Sequence, residues 1–134
     1  MSSKGDSMKK EIIVTDQAPK AIGPYSQGVK AGGFLFLSGA IALDPASGEI
    51  VKGGIVAEAE QVMKNIGALL QAAGVGFGDV VKTVIYLADM GDFATVNGIY
   101  GRFFEAAAPA RVTVEVKGLP RGALVEIEVT ALCG

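Results

Sequence analysis

The chain has 134 residues, half of them apolar, and its 12 lysines and arginines against 14 acidic residues give a net charge of −2. This length suits one domain with a single core, and basic residues scattered along the chain argue against a nucleic-acid partner. The absence of histidine excludes Ser/His and Cys/His catalysis and histidine-rich metal sites, so any general acid or base must be Glu, Asp, Lys, Tyr or water.

The N-terminal part of the chain divides into a tail and the start of a sheet. Residues 1–10 lack an apolar core, so we predict a disordered tail that is neither a signal peptide nor a membrane anchor. Residues 11–134 are predicted as one domain, with strands over 11–15 and 34–39. Between these strands lies Tyr25, which fits a core position and a pocket wall about equally well.

The second predicted strand ends in two small residues, Ser38 and Gly39, which let a ligand approach the backbone. A serine at a strand end is more often a hydrogen-bonding residue than a nucleophile. With no histidine to activate it, Ser38 is interpreted in the first way.

Two helices and a further strand follow in chain order. Apolar residues at helical spacing predict a helix over residues 55–73, with Gly74 as its C-cap. Residues 80–87 are β-branched and apolar, which is typical of a buried central strand. A second helix is predicted over residues 92–104, with Asp92 as its N-cap. The predicted fold is a two-layer α+β domain with two helices on one face of a mixed sheet.

The C-terminal part contains two alternating segments, residues 109–116 and 124–129, separated by Leu119-Pro120-Arg121-Gly122. This pattern predicts an antiparallel hairpin. Its apolar face is expected to hold Val112, Val114, Val116, Val125, Ile127 and Val129. The opposite face is expected to hold Arg111, Thr113, Glu115, Glu126, Glu128 and Thr130.

The predicted polar face of this hairpin has two interpretations. An ordinary solvated sheet surface is one of them. The other is a binding site, because Arg111 at the start of its strand can reach over the sheet edge to an anion, and the surplus carboxylates leave one for proton transfer.

The amino-acid composition also bears on the oligomeric state and on the cellular compartment. The chain is more apolar than one small Gly-rich monomer requires, which favours a homo-oligomer. Cys133 is the only cysteine, so the chain has no internal disulfide or thiolate metal cluster, as suits a reducing cytoplasm. The longest apolar stretch is too short to cross a membrane.

Several motifs resemble those of the RidA family, also called YjgF/YER057c/UK114. The most specific is Pro109-Ala110-Arg111-x-Thr113-Val114-Glu115-Val116-x-x-Leu119-Pro120, continuing to Val125-Glu126-Ile127-Glu128. Others occur in the family's order, including Ala21-Ile22-Gly23-Pro24-Tyr25-Ser26-Gln27, Leu37-Ser38-Gly39 and Asp92-Phe93-Ala94-Thr95-Val96-Asn97. The resemblance covers the chain from about Glu11 to Leu132.

The resemblance implies a chorismate-mutase-like subunit in a homotrimer, with a ligand cleft at each subunit interface. The implied activity is that of a 2-iminobutanoate/2-iminopropanoate deaminase, a hydrolase acting on C–N bonds. It converts 2-enamine and 2-imine acids, such as those released by pyridoxal-phosphate-dependent dehydratases, to 2-oxo acids and ammonia. No cofactor is implied.

The resemblance also implies roles for individual residues. Arg111 is expected to hold the substrate carboxylate and Glu126 to position or activate water. The pocket is expected to be lined by Tyr25, Ser38 and Gly39, with Asn97 and Thr113 beside them. Many family members have cysteine where Thr113 stands and glutamine where Ala40 stands.

Two other functions stay open from the sequence. The first is a non-catalytic trimer that binds small carboxylates or client proteins as a regulator or chaperone, which Arg111 would serve equally well. The second is an endoribonuclease or translation inhibitor, which ranks third because the chain has neither histidine nor a basic stripe.

Overall fold

The computed structural model describes residues 9–134, so most of the predicted tail lies outside the described residues. The described chain forms a sheet and two longer helices. The strands are β1 (Glu11–Ile13), β2 (Gly28–Ala31), β3 (Phe34–Leu37), β4 (Val80–Leu87), β5 (Ala110–Glu115) and β6 (Val125–Leu132). The helices are α1 (Gly54–Ala72) and α2 (Phe93–Gly101).

The six strands form one mixed sheet in the order β1-β2-β3-β6-β4-β5. The β4–β5 pair is parallel, and the other neighbouring pairs are antiparallel. Alternate residues of the inner strands are buried against the helices, as Ile85, Leu87 and Ile127 show. The predicted α+β fold, with two helices and a mixed sheet, is therefore confirmed.

Helix α1 covers the sheet because its apolar residues recur three and four positions apart. Val62, Ile66 and Leu69 are buried and belong to the core, which also contains residues of β1, β3, β4 and β6. The helix ends before Gly74, whose φ of 82° lies in the left-handed region that glycine adopts without strain. The predicted helix over residues 55–73 is confirmed to within a residue at each end.

The predicted hairpin of β5 with β6 is wrong. Strand β4 lies between them, pairing with β5 in parallel and with β6 in antiparallel register. Helix α2 supplies the crossover that a parallel pair requires. Alternation along a segment shows which of its residues share a face but not which strand is its neighbour, and this is why the sequence pattern misled.

The change of partner inverts the predicted faces of β5. Arg111 pairs with Thr83 and Thr113 pairs with Ile85, so both point toward the helices. Val112 and Val114, predicted to lie in the core, instead point away from the helices and are 43% and 38% exposed. The faces predicted for β6 are correct, because Val125, Ile127 and Val129 are buried.

The side of the sheet that faces away from the helices is called the open face. It carries exposed large apolar side chains from four of the six strands: Ile12, Phe34, Phe36, Val112, Val114 and Leu132. A row of this kind exceeds the scattered apolar residues that a monomer normally exposes.

Element boundaries differ modestly from the predicted ones. Strands β1 and β3 are shorter than predicted, and β2 was not predicted. Helix α2 ends at Gly101, and Asp92 occupies its N-cap position without a side-chain hydrogen bond. Within residues 9–134, neither helix has the length and hydropathy needed to cross a bilayer.

Candidate functional site

A cavity of about 510 Å³ opens where β3 ends and β6 begins. Beyond β3, Ala40 and Ile127 form an isolated antiparallel bridge that keeps the two segments together. The cavity brings together four of the seven predicted site residues: Tyr25, Ser38, Gly39 and Glu126. The other lining residues are Pro19, Lys20, Ile22, Gln27, Ala40, Ile41, Leu43, Asn65, Leu69, Pro120 and Arg121.

Glu126 provides the carboxylate of this cavity. It lies on the open face of β6, opposite Tyr86, and its side chain is partly buried. Burial raises the pKa of the Glu126 carboxyl, and the negative charge of Glu128 raises it further. A carboxyl group with a raised pKa in a cleft is suited to proton transfer near neutral pH.

Ser38 ties two segments of the cavity wall together. Its Oγ donates a hydrogen bond to the carbonyl oxygen of Ser26 at 2.5 Å, and its backbone N–H donates to the carbonyl of Gln27 at 3.1 Å. The hydroxyl is therefore engaged with the backbone, as expected of a strand-end serine. Tyr25, in the segment that Ser38 holds, is 51% exposed, so of its two interpretations the pocket wall fits.

Gln27 is a cavity residue that the sequence analysis did not single out. Its side chain is buried and bonds the segment that carries Pro19. The amide nitrogen donates to the carbonyl oxygens of Thr15 at 3.0 Å and Pro19 at 2.8 Å, and the amide oxygen accepts from the N–H of Thr15 at 2.8 Å. Gln27 therefore fixes the wall that precedes Tyr25.

Asn65 was also missed, although the sequence contained a signal. It is a polar residue within the apolar stripe of α1 and is only 2% exposed. Its Nδ2 donates to the carbonyl oxygens of Ile41 at 3.2 Å and Leu43 at 2.9 Å. A buried amide needs such partners, so Asn65 holds the cavity segment after β3 against the helix.

The remaining predicted residues form a second cluster between β5 and α2. Arg111 donates from Nη1 to Oδ1 of Asn97 at 2.6 Å. Its guanidinium carbon lies 5.6 Å from the ring centre of Phe93 and 5.2 Å from that of Tyr100. Aromatic rings within this range attract a cation and fix its position. The Arg111 side chain is nevertheless exposed, so it can bind an anion.

Thr113 lies two residues after Arg111 on the same face of β5. Its Oγ1 is buried, and within residues 9–134 it has no hydrogen-bond partner. Buried hydroxyl groups are normally paired, so this one is available for a further partner. Tyr100, by contrast, shares a hydrogen bond of 2.7 Å with Thr83.

The two clusters lie on opposite faces of the sheet. Arg111 faces the helices, whereas Glu126 faces the other way, and β4 separates their strands. Arg111 pairs with Thr83 and Glu126 pairs with Tyr86, so the two residues are two strands apart and offset by three residues along the strands. These spacings place their Cα atoms roughly 14 Å apart. The prediction that Arg111 shares a face with Glu126 and Glu128 is therefore wrong, and Arg111 cannot reach the ligand of its own chain's Glu126.

Over residues 9–134, no three acidic or cysteine side chains come close enough together to hold a metal ion.

Comparison with known proteins assigns relatives to most of the chain. The profile of the family described as Endoribonuclease L-PSP matches residues 15–133. The 2-iminobutanoate/2-iminopropanoate deaminase of Mus musculus is 51% identical over 128 residues, which covers 96% of this chain and 95% of the mouse protein.

Solved structures agree with this result. A member of the Rid protein family from Yersinia pestis has 46% identity and a TM-score of 0.91, covering 92% of this chain and 99% of its own. E. coli TdcF with bound serine has 40% identity and a TM-score of 0.87, covering 92% of this chain and 99% of its own.

Proposed function

This chain belongs to the Endoribonuclease L-PSP family, which is the RidA family, and from that premise we propose that it deaminates 2-imino and 2-enamine acids. The products are the 2-oxo acid and ammonia. One observation carries the proposal: the chain has an exposed arginine on an aromatic platform and, separately, a carboxyl group whose pKa is raised in a cavity. These are the two groups that hydrolysis of an imino acid needs.

The proposed site forms between subunits. Because Arg111 and Glu126 lie on opposite faces of one sheet, they can act on one ligand only if each comes from a different copy of the chain. The exposed apolar residues of the open face supply a surface for such contact. We therefore propose a homotrimer with a cleft at each interface.

The reaction follows from the chemistry of these groups. Arg111 binds the substrate carboxylate, assisted by Asn97 and by the free hydroxyl of Thr113. An enamine first takes a proton at C3 and becomes the imine. Glu126 accepts a proton from water as the water oxygen bonds to C2 of the protonated imine, and it then returns that proton to the nitrogen. The C–N bond breaks as the remaining hydroxyl proton passes to the Glu126 carboxylate, so that C=O forms and ammonia leaves.

The atoms balance over these reaction steps. One water is consumed, one C=N bond is replaced by C=O, and one ammonia is released, so no oxidant or cofactor takes part. Positioning supplies much of the rate, because an imine carbon is already electrophilic. We place the source of such substrates in the dehydratases that use pyridoxal phosphate, and the protein in the cytoplasm with them.

The test is a competition assay. A threonine dehydratase generates 2-iminobutanoate in the presence of semicarbazide, and 2-oxobutanoate that escapes trapping is measured with wild type, Arg111→Ala and no added protein. We expect faster release with wild type alone. Equal release in all three would rule out deamination of this imine.

A second candidate is binding without turnover. E. coli TdcF with bound serine is a related structure whose ligand has a carboxylate but no imine. If calorimetry shows that wild type binds 2-oxobutanoate and Arg111→Ala does not, while the assay shows no acceleration, the carboxylate-binding function is the correct one.

A further inference from the structure

The cavity beside Glu126 is larger than its smallest proposed substrate requires. Its volume of about 510 Å³ lies within the range of pockets that take drug-sized ligands. A four-carbon imino acid therefore fills only part of it. The rest of the cavity is available to the side chain of a larger substrate.

Two cations line this cavity, Lys20 and Arg121. Throughout residues 9–134, the one salt bridge joins Arg102 to Glu60 at 3.3 Å, so neither Lys20 nor Arg121 is paired with a carboxylate. Unpaired cations in a cleft attract anionic ligands and can hydrogen-bond them once bound.

The backbone of Arg121 is held in an uncommon conformation. Its φ of 61° and ψ of 18° lie in the left-handed region, and it is followed by Gly122, whose φ is 68°. An arginine rarely adopts this region, and such outliers concentrate at functional sites. The side chain is weakly held, because Nη2 donates to the carbonyl oxygen of Gly48 at 3.3 Å. The guanidinium can exchange this bond for one to a ligand.

The remaining lining suits the stem of a side chain. Ile41, Leu43 and Pro120 contribute apolar walls to the same cavity, and methylene groups pack against such walls. A ligand with an α-carboxylate at one end, methylene groups in the middle and an anion at the other end matches the arrangement.

We propose that Lys20 and Arg121 bind a second anionic group and that the site selects 2-imino dicarboxylates, such as the imine of glutamate. The proposal rests on the deaminase function above, in which Arg111 of a neighbouring copy holds the α-carboxylate. Lys20 and Arg121 act on specificity and take no part in proton transfer.

The test compares two substrates of similar length. A flavin-dependent amino-acid oxidase generates 2-iminoglutarate from glutamate or 2-iminohexanoate from norleucine, and semicarbazide competes for each. The proteins are wild type, Lys20→Gln, Arg121→Gln and the control Lys64→Gln, which removes one charge from an exposed position of α1 outside the cavity. Light scattering checks whether each variant keeps the assembly of wild type.

The expected result is a selective loss. Lys20→Gln and Arg121→Gln should each lower kcat/KM for 2-iminoglutarate by about tenfold to a hundredfold, the factor associated with one hydrogen bond to a charged group. Their kcat/KM for 2-iminohexanoate should fall far less, and both values for Lys64→Gln should match wild type. Equal losses for both substrates, or none, would overturn the proposal while leaving the deaminase function in place.

A binding measurement separates this proposal from the deaminase function itself. Calorimetry of wild type and Arg121→Gln with 2-oxoglutarate and 2-oxohexanoate needs no turnover. We expect the substitution to weaken the binding of 2-oxoglutarate but not that of 2-oxohexanoate. If wild type accelerates neither of these imines nor 2-iminobutanoate, the deaminase function fails, and equal affinities of the two proteins for 2-oxoglutarate reject the second anion site independently.

Discussion

The carboxylate of Glu126 occupies the space that a side chain on residue 39 would need. A Cβ built on Gly39 would overlap Oε2 of Glu126 and also crowd its Cδ and Cγ atoms. Gly39 has no positive φ, so its backbone conformation does not require glycine. The requirement at this position is therefore space for the carboxylate.

Gly39→Ala should displace the Glu126 carboxylate and slow deamination. A displacement of about 1 Å at a catalytic group can cost on the order of a hundredfold in rate. The competition assay should show a fall in kcat larger than any change in KM, because the substrate carboxylate is bound elsewhere. Gly118→Ala is the matched control, since a Cβ there meets nothing within 4 Å. Equal activity of Gly39→Ala and wild type would show that Glu126 is not required in its present position.

Mixed oligomers should reveal that each site uses two chains. Arg111→Ala and Glu126→Gln are expected to be inactive alone. When the two variants are co-expressed with different tags and trimers carrying both tags are purified, about a third of the clefts combine an intact Arg111 with an intact Glu126. Activity should recover to about that fraction of wild type. No recovery in a verified mixed trimer would place both residues in one chain's site.

The raised pKa of Glu126 predicts a pH dependence of activity. The ionised carboxylate accepts the proton from water, so kcat/KM should fall as the pH drops through a value above the ordinary 4.5. Removing the nearby charge by Glu128→Gln should move this fall to lower pH, because Glu128 contributes to the shift. Glu126→Gln should abolish the proton transfer altogether. An unchanged pH profile of kcat/KM in Glu128→Gln would contradict the assignment of Glu126 as the proton acceptor.

The raised pKa of Glu126 also affects stability, which falls as the pH rises, whereas activity falls as the pH drops. The folded state holds the Glu126 proton more tightly than the unfolded state, so this contribution is complete below the ordinary pKa of 4.5 and is lost as the pH rises through the folded value. Glu126→Gln should therefore show a smaller decline in thermal stability between acidic and neutral pH than wild type does. Differential scanning calorimetry across that interval measures the difference.

A charge placed on the open face should disrupt assembly. Phe36 is 47% exposed in the single chain, and burying a side chain of this size at an interface contributes about 1.5–3 kcal/mol. Phe36→Asp should form smaller species, as measured by light scattering, and should lose deaminase activity. Its circular dichroism spectrum should match that of wild type. Val56→Asp is the control, because Val56 is 48% exposed but lies on α1. An unchanged oligomer in Phe36→Asp would show that the open face is not the contact surface.

The comparison between sequence and structure shows what periodicity can reveal. Periodicity predicted α1, the buried strand β4 and the inward residues of β6. Each of these elements packs one face against the core, so its apolar residues recur at helical or strand spacing. Periodicity failed for β5, an edge strand with exposed residues on both sides, whose pattern could not show which face meets the helices. The valines that suggested a core are instead those of the open face.

The candidate site was predicted in part for the same reason. Motifs named all seven residues, yet only the strand order shows that they form two separate clusters. Gln27 and Asn65 support the cavity through backbone carbonyls that lie far away in sequence, so composition and spacing could not identify their partners. Arg121 was part of a predicted turn, and nothing in its neighbours indicated a left-handed backbone.

The central position of β6 has a consequence for how the chain acquires its fold. Strands β1 to β3 on one side and β4 with β5 on the other are joined only through residues 125–132, which follow all of them in sequence. During synthesis, both parts of the sheet must wait with unpaired edges until this last segment is available. Folding therefore ends with an insertion, and a chaperone or protease that meets the nascent chain encounters two incomplete half-sheets.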